Sequence, residues 1–379
     1  MFGLKTILRE AFRLARYRAS RNTDSFAMMP MNVTCSVTNL CNSRCKTCFI
    51  WKLYRERPSL KERELELWEF ERIFRSLGTS VVYLTFSGGE PFLRKDLSDI
   101  CISAYEQCRP RVVTIPTNAL LPKIIESELR RILRTCETTV FTVNLSLDGV
   151  GRKHDEIRGV RRNFASFMDT FGRLSRLKEE FRNLIVGVHS VLSVYSLDSA
   201  LEVYEFARRL GPDSYIMEVA EERAELFNQE SGVTPPPEDL ARVLNKVRER
   251  IKRDYLARDG LLGRFIQASR LAYYDVVPRI LEKKRQIYPC YAGFASCQIT
   301  PHGDVWPCCI LGYDKPMGNL RDDGYDFRKI WLSQKAEEVR KFVRSGGCSC
   351  PLANASYTSM LCSPTYVMKI LAGLLASYV

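Results

Sequence analysis

The chain has 379 residues, 45% hydrophobic and 27% charged, which is the balance of a globular protein with material for one large domain and a smaller one. Fourteen cysteines invite a disulfide-bonded, secreted reading, but they fall in short-spaced groups, a pattern of metal binding in a reducing compartment. The formal charge of +13 comes from scattered Lys and Arg with no nucleic-acid module, which argues against nucleic-acid binding and leaves a basic surface for an anionic substrate or membrane.

Residues 2–18 are expected to form a basic amphipathic helix. Leu4, Ile7, Leu8, Ala11 and Ala15 recur at helical spacing, with Lys5, Arg9, Arg13 and Arg16 on another face. Such a helix either lies on an anionic bilayer or packs on the main domain. Residues 1–21 lack the continuous apolar region of a signal peptide, and no apolar run reaches the roughly 18 residues that span a bilayer. The expected location is the cytoplasm, with a peripheral place at the inner membrane face as the alternative.

From residue 32 apolar, β-rich runs alternate with helical patterns. Strands are expected at 32–38, 81–87, 111–117, 140–148, 184–193 and 214–219, with helices near 62–77, 95–107, 123–135, 164–181 and 197–210. Such alternation predicts α/β architecture with a parallel sheet, and six units are too few to close an eight-stranded barrel. The fold class is therefore a partial (β/α)6 TIM-type barrel followed by a small α+β domain. The proline-rich break SGVTPPPEDL (231–240) leads into helical stretches at 237–258 and 262–285, then a cysteine-rich region. The expected domains are 1–30, an amphipathic helix; 31–230, the barrel; 231–287, a helical linker; 288–365, the small domain; and 366–379, an apolar helix that docks on the barrel or joins the first helix at a membrane.

Cys41, Cys45 and Cys48 stand in CNSRCKTC, right after the first strand, where ligands bind in parallel α/β barrels. A structural zinc wants four ligands, and so does a plain electron-transfer [4Fe–4S] cluster, so three cysteines leave one metal position open. Cys35, inside the strand, reads as a buried apolar residue. The second strand ends in Ser87, Gly88, Gly89, Glu90 and Pro91, where backbone without side chains can approach a ligand closely.

This triplet followed by a GGEP turn resembles the radical S-adenosylmethionine (radical SAM) superfamily over roughly residues 30–365. The resemblance implies a [4Fe–4S] cluster on Cys41, Cys45 and Cys48 whose open iron chelates SAM. One electron, from a donor such as a flavodoxin or ferredoxin, then releases a 5′-deoxyadenosyl radical. It further implies that Gly88 and Gly89 meet the methionine amino group of SAM while Glu90 buttresses the turn. The string SLDGVGRKHDEIRG (146–159) is similar to a stretch of many radical SAM maturases. That likeness makes Ser146 and Arg158 candidates for the methionine carboxylate or the ribose, with Asn118 lining the site. The Arg158 fork suits a carboxylate, or it caps the strand through Asp148 or Asp155. Ser190 is a weaker ribose candidate. Thr47 stands where the family commonly has an aromatic residue before the third cysteine, so Phe49 or the backbone has to seat the adenine.

The C-terminal CYAGFASCQITPHGDVWPCC, with a following GNL, CSC and Cys362, resembles the SPASM/twitch extension, with His302–Gly303–Asp304 as the turn of a hairpin. The resemblance implies one auxiliary [4Fe–4S] cluster held by Cys290, Cys308, Cys348 and Cys350, with a second cluster or a structural zinc as alternatives. Cys297 is the leading substitute ligand, then Cys309 and Cys362. Cys101, Cys108 and Cys136 read as packed thiols. None of the three histidines stands out as a general base, and Cys309 occupies the place where some relatives carry a proton-accepting carboxylate. The expected substrate is a peptide or protein, with a lipid or lipid-linked sugar as the alternative. From another class, a non-catalytic iron–sulfur or zinc scaffold is the rival.

Overall fold

The computed structural model describes residues 4–23, 27–256 and 260–375. Among these residues nine strands form one sheet in the order β6-β5-β4-β3-β2-β1-β7-β8-β9. They are β1 (Asn32–Thr38), β2 (Tyr83–Gly88), β3 (Val112–Thr117), β4 (Val140–Ser146), β5 (Leu184–Leu192), β6 (Ser214–Val219), β7 (Ser296–Ile299), β8 (Asp304–Trp306) and β9 (Gly318–Asn319). Strands β1 to β6 pair in parallel with their sequence neighbours and are joined by helices, giving the partial TIM-type barrel. The C-terminal hairpin continues this sheet: β7 runs parallel to β1, with Val33 opposite Cys297, and β8 and β9 follow antiparallel.

Alternation along the strands decides which face packs. Val33, Leu84, Val113, Phe141 and Leu184 lie side by side in register and are buried against the outer helices. Helix Leu67–Leu77 contributes Phe70, Ile73, Phe74 and Leu77 to that layer, and a reciprocal Glu66–Glu69 capping box fixes where it starts. Helix Pro122–Thr135 opens on proline, whose missing N–H costs nothing at that position. At the hairpin turn Gly303 takes φ +89, and Thr300 accepts from its N–H.

A second, smaller core sits where helix Leu4–Asn22 meets the C-terminal region. Tyr17 is fully buried there beside Tyr291, Phe294, Cys308 and Cys362, and its hydroxyl donates to Met29 O at 2.6 Å. Arg21 donates through Nε to Cys290 O at 2.9 Å. The helix therefore packs on the body along this face. The side chains of Leu4, Ile7 and Leu8, residues 2–3 of the expected first helix and residues 376–379 of the last lie outside the described residues. Among the described residues no helix is long and apolar enough to cross a membrane.

Candidate active site

The loop after β1 is pinned through its backbone, which leaves its thiols for other work. Arg44 N and Lys46 N donate to Arg158 O (3.1 Å) and Ile157 O (2.9 Å), and Phe49 N donates to Leu226 O (2.8 Å). Thr47 O accepts from Asn228 Nδ2 at 2.8 Å. Cys41, Cys45 and Cys48 thus hang from a fixed frame at the C-terminal end of the barrel. Burial pushes the Cys41 and Cys48 thiols up to about 12, and the neighbouring thiols add to it; burial raises Cys45 too, against the pull of Arg158.

One buried and two half-buried thiols in each other's field are poor at carrying charge alone, and a metal that takes up that charge removes the conflict. Among the described residues no three Cys, His, Asp or Glu side chains close on one point as around a single ion. A cubane asks for something looser, one thiolate per iron corner. The donor set fits a cluster of that kind.

The two glycines of the turn serve a purpose beyond the one expected. A Cβ on Gly88 would stand 2.0 Å from Thr38 O, and one on Gly89 would stand 2.3 Å from Leu40 O. The close approach is made by the protein's own β1 loop, with Gly89 N donating to Thr38 O and Glu90 N to Leu40 O, both at 2.8 Å. With those N–H groups engaged, each peptide offers its carbonyl, an acceptor suited to an ammonium group. Glu90, 1% exposed, takes up Asn118 N (2.7 Å), Thr117 Oγ1 (2.9 Å) and Phe92 N (3.2 Å), so it ties the ends of β2 and β3 together. Burial raises its carboxyl to about 7 against these donors. Ser87 precedes this turn on β2.

Asn118 Nδ2 donates to Asn42 Oδ1 at 2.7 Å and lies 3.9 Å from Cys41 Sγ. Ser146 ends β4 opposite His189 of β5. Arg158 pairs with Asp148 (Nη1–Oδ2, 3.0 Å), not Asp155, and its Nε is buried without a partner. Burial works against the guanidinium, but the Cys45 thiol and Asp148 outweigh it and hold it charged. Asp155 is occupied elsewhere, accepting from Arg162 N (2.6 Å) and Phe164 N (2.7 Å) where the next helix begins. Ser190 is engaged with Leu147 O and Tyr215 OH.

The second group gathers Cys290, Cys308, Cys348 and Cys350. Burial and then the Cys290 thiol push Cys308 up to about 12 and Cys348 up to about 11, and Cys350 is raised by burial, Glu221, Cys308 and Cys290. Of the substitutes, Cys362 shares the small core with Cys290, Cys308 and Cys348, and Cys309 adjoins Cys308. Cys297 points to the helix side of β7, where burial and then Cys35 raise it; Cys362 neighbours Arg18; and Cys309 Sγ accepts from Arg223 Nη1 at 2.8 Å.

Sequence reasoning passed over the loop after β6. Arg223 there sits among Cys309, Glu221 and Glu225, and it also feels Cys48, so it stands between the two cysteine groups. Asn228 from the same loop holds both Thr47 O and Glu221 O. The available signal was the alternating charge of EERAE at the C-terminal end of a barrel strand. A surface cleft of about 520 Å³ lined by Arg72, Arg75, Tyr325 and Arg328 contains none of the candidate residues.

An open parallel barrel with three thiols on its first loop, a glycine turn on its second strand and four more thiols, one before and three after a hairpin, defines an iron–sulfur enzyme of the radical type. The chain belongs to the radical SAM superfamily, matching it over residues 35–207, and it carries an iron–sulfur cluster-binding SPASM domain over residues 290–351. Its cofactors are accordingly SAM, a [4Fe–4S] cluster and auxiliary iron–sulfur.

It is 22% identical over 346 residues to the antilisterial bacteriocin subtilosin biosynthesis protein AlbA of Bacillus subtilis, covering 88% of this chain and 68% of that one. A GTP 3′,8-cyclase of Cronobacter sakazakii is 33% identical over 135 residues, 35% of this chain and 38% of the cyclase. Among solved structures, Streptococcus suis SuiB bound to its precursor peptide SuiA shares the fold, with TM-score 0.59, 20% identity, and coverage of 90% of this chain and 73% of that one.

Proposed function

We propose that this radical SAM enzyme modifies a peptide or protein side chain. The carrying observation is the match to AlbA along 88% of the chain, supported by the shared fold with SuiB, which has been solved with a precursor peptide. When bound, the [4Fe–4S] cluster and SAM supply a 5′-deoxyadenosyl radical that takes hydrogen from the substrate.

The chain's own residues do the positioning. Cys41, Cys45 and Cys48 hold the cluster and leave one corner for SAM. The carbonyls of Gly88 and Gly89 receive the methionine ammonium on a turn stiffened by Glu90. Arg158, anchored by Asp148, and Ser146 face the carboxylate or ribose end, with Asn118 against the cluster loop. Cys290, Cys308, Cys348 and Cys350 hold the auxiliary cluster, and Arg223 bridges the two centres. Fixing the groups this way matters because misplacement by 1 Å costs on the order of 100-fold in rate.

The test is anaerobic reconstitution with reduced flavodoxin or ferredoxin, SAM and a pooled synthetic peptide library, read by mass spectrometry. Peptides that change mass only with SAM and reductant support the reading. Formation of 5′-deoxyadenosine with every peptide unchanged, and a lipid-linked sugar altered instead, would overturn it.

A further inference from the structure

Two hollows on the outer surface share a wall. One, of about 520 Å³, lies between Arg72, Arg75, Tyr325, Asp326 and Arg328; the other, of about 340 Å³, lies between Arg13, Arg16, Met28, Met29, Arg328 and Leu332. Arg328 belongs to both, so together they make one groove. Five of its lining residues are arginines and one is an acid. That acid, Asp326, accepts from Arg328 N at 3.0 Å and caps the short helix Phe327–Trp331.

The positive charge is not neutralised inside the protein. Among the described residues the side chains of Arg16, Arg75 and Arg328 have no ion pair or hydrogen bond, and all three are exposed. Arg72 donates to Gly324 O at 3.2 Å and lies over the Tyr325 ring at 4.8 Å. Arg13 is held by Ser80 O and, at 3.8 Å, by Glu10, which Arg111 also takes at 3.1 Å. Between the arginines the surface is apolar: Leu332 is 57% exposed, and Met28 and Met29 are half-buried. Met28 O fixes this floor by accepting from Nε1 of the fully buried Trp331 at 2.7 Å.

Position separates the groove from the chemistry. Met29 stands three residues before β1 and Ser80 three before β2, so the groove opens at the N-terminal end of the barrel, whereas the cysteine loop follows β1 at the other end. The seven residues of β1 put at least ~23 Å between them. A one-electron donor docked here would have the barrel between itself and Cys41, Cys45 and Cys48. A flat bilayer does not fill a concave groove, and free phosphate makes no use of an apolar floor. A peptide strand with carboxylates beside apolar side chains uses all of it: guanidinium forks grip carboxylates, and Leu332 and the adaptable methionines take the apolar groups.

We propose that the groove docks an acidic, partly apolar segment of the substrate, at least about ten residues in sequence from the residue that is modified. The spacing follows from ~23 Å along the sheet and ~10 Å round the outer helices, at ~3.4 Å per extended residue. Binding energy from this remote segment brings the reacting residue to the barrel mouth. That the segment belongs to a substrate peptide rests on the functional reading above; the groove's preference for an acidic peptide does not.

The test keeps the two apart. Anaerobically reconstituted holoenzyme is titrated into fluorescently labelled 12-residue peptides that alternate Glu or Asp with Leu, into counterparts with Lys in place of each acid, and into phosphatidylglycerol vesicles. Only the acidic peptide should bind. Its affinity should fall at least tenfold in Arg75→Glu/Arg328→Glu and stay within twofold of wild type in Arg134→Glu/Arg209→Glu, an equal charge change at exposed positions outside the groove. Formation of 5′-deoxyadenosine from SAM should match wild type in both variants. Equal weakening in both variants, or none in the groove variant, would overturn the proposal, as would groove-dependent binding of vesicles without peptide, or full displacement of the peptide by inorganic phosphate. A second arm joins the acidic segment to a modified peptide through spacers of 4 and 14 residues. The long spacer should raise kcat/KM at least tenfold in wild type and not in the groove variant. Modification indifferent to both the segment and the groove would overturn the docking and leave the peptide reading standing. Groove-dependent binding of the acidic peptide, with no peptide modified, would do the reverse.

Discussion

Replacing Gly89 by alanine puts the seam between β2 and the cysteine loop under direct strain. The new Cβ would stand 2.3 Å from Leu40 O, 2.7 Å from Leu40 C and 2.8 Å from Asn39 O. Ordinary contact is near 3.5 Å, so one backbone must retreat by about 1 Å, and no side chain is there to rotate aside. The bonds Gly89 N–Thr38 O and Glu90 N–Leu40 O cross this seam. Overpacking of about 1–3 kcal/mol plus weakening of two bonds worth about 1 kcal/mol each gives a loss of about 2–4 kcal/mol. Leu40 directly precedes Cys41, so the same retreat displaces a thiol, and a rate loss on the order of 100-fold is expected. Gly172→Ala is the control: in helix Asn163–Glu180 its Cβ meets only Arg176 Nη1 at 3.8 Å, and the change should stabilise by up to about 1 kcal/mol. Both variants are reconstituted anaerobically and assayed for melting temperature, iron content and 5′-deoxyadenosine formation. Wild-type stability and rate in Gly89→Ala would refute the reasoning.

Asp148→Asn removes the anion that compensates Arg158 at a site 2% exposed, and should cost about 3 kcal/mol. Asp155→Asn, which alters only backbone capping, should cost about 1 kcal/mol; equal denaturation midpoints for the two would contradict the assignment. His154 is buried with Nδ1 accepting from Asp148 N at 3.2 Å, and burial lowers it to about 4 from an ordinary 6.5. The unfolded chain therefore takes up a proton below 6.5 that the folded chain refuses until about 4. The stability this contributes is full above pH 6.5 and is lost as the pH falls towards 4, by about 2 kcal/mol between pH 7 and pH 5. His154→Gln should flatten that slope by the same amount in denaturation curves, and a slope identical to wild type would count against it.

The strands and the cysteine groups were legible because both are local patterns: period-two alternation and thiols a few residues apart. Partners set by long-range geometry were not. The pairing of β7 with β1 joins residues more than 250 positions apart, so the sequence alone separated the C-terminal hairpin from a sheet it extends. The choice of Asp148 over Asp155 for Arg158 depends on where the helix after residue 162 begins, because Asp155 is consumed there. The need for glycine at 88 and 89 was readable, but the neighbour that requires it was not, since Thr38 and Leu40 lie about 50 residues upstream. His189 gave no signal alone; its partner, Glu218, stands on the adjoining strand.

The most direct test of the account removes Cys41, Cys45 and Cys48 together by alanine substitution and compares the anaerobically reconstituted protein with wild type. Wild type should carry about eight irons, four per cluster, and form 5′-deoxyadenosine from SAM under reductant. The triple variant should keep about four irons on Cys290, Cys308, Cys348 and Cys350 and form none. A variant that still cleaves SAM, or that loses all of its iron while remaining folded, would contradict the account.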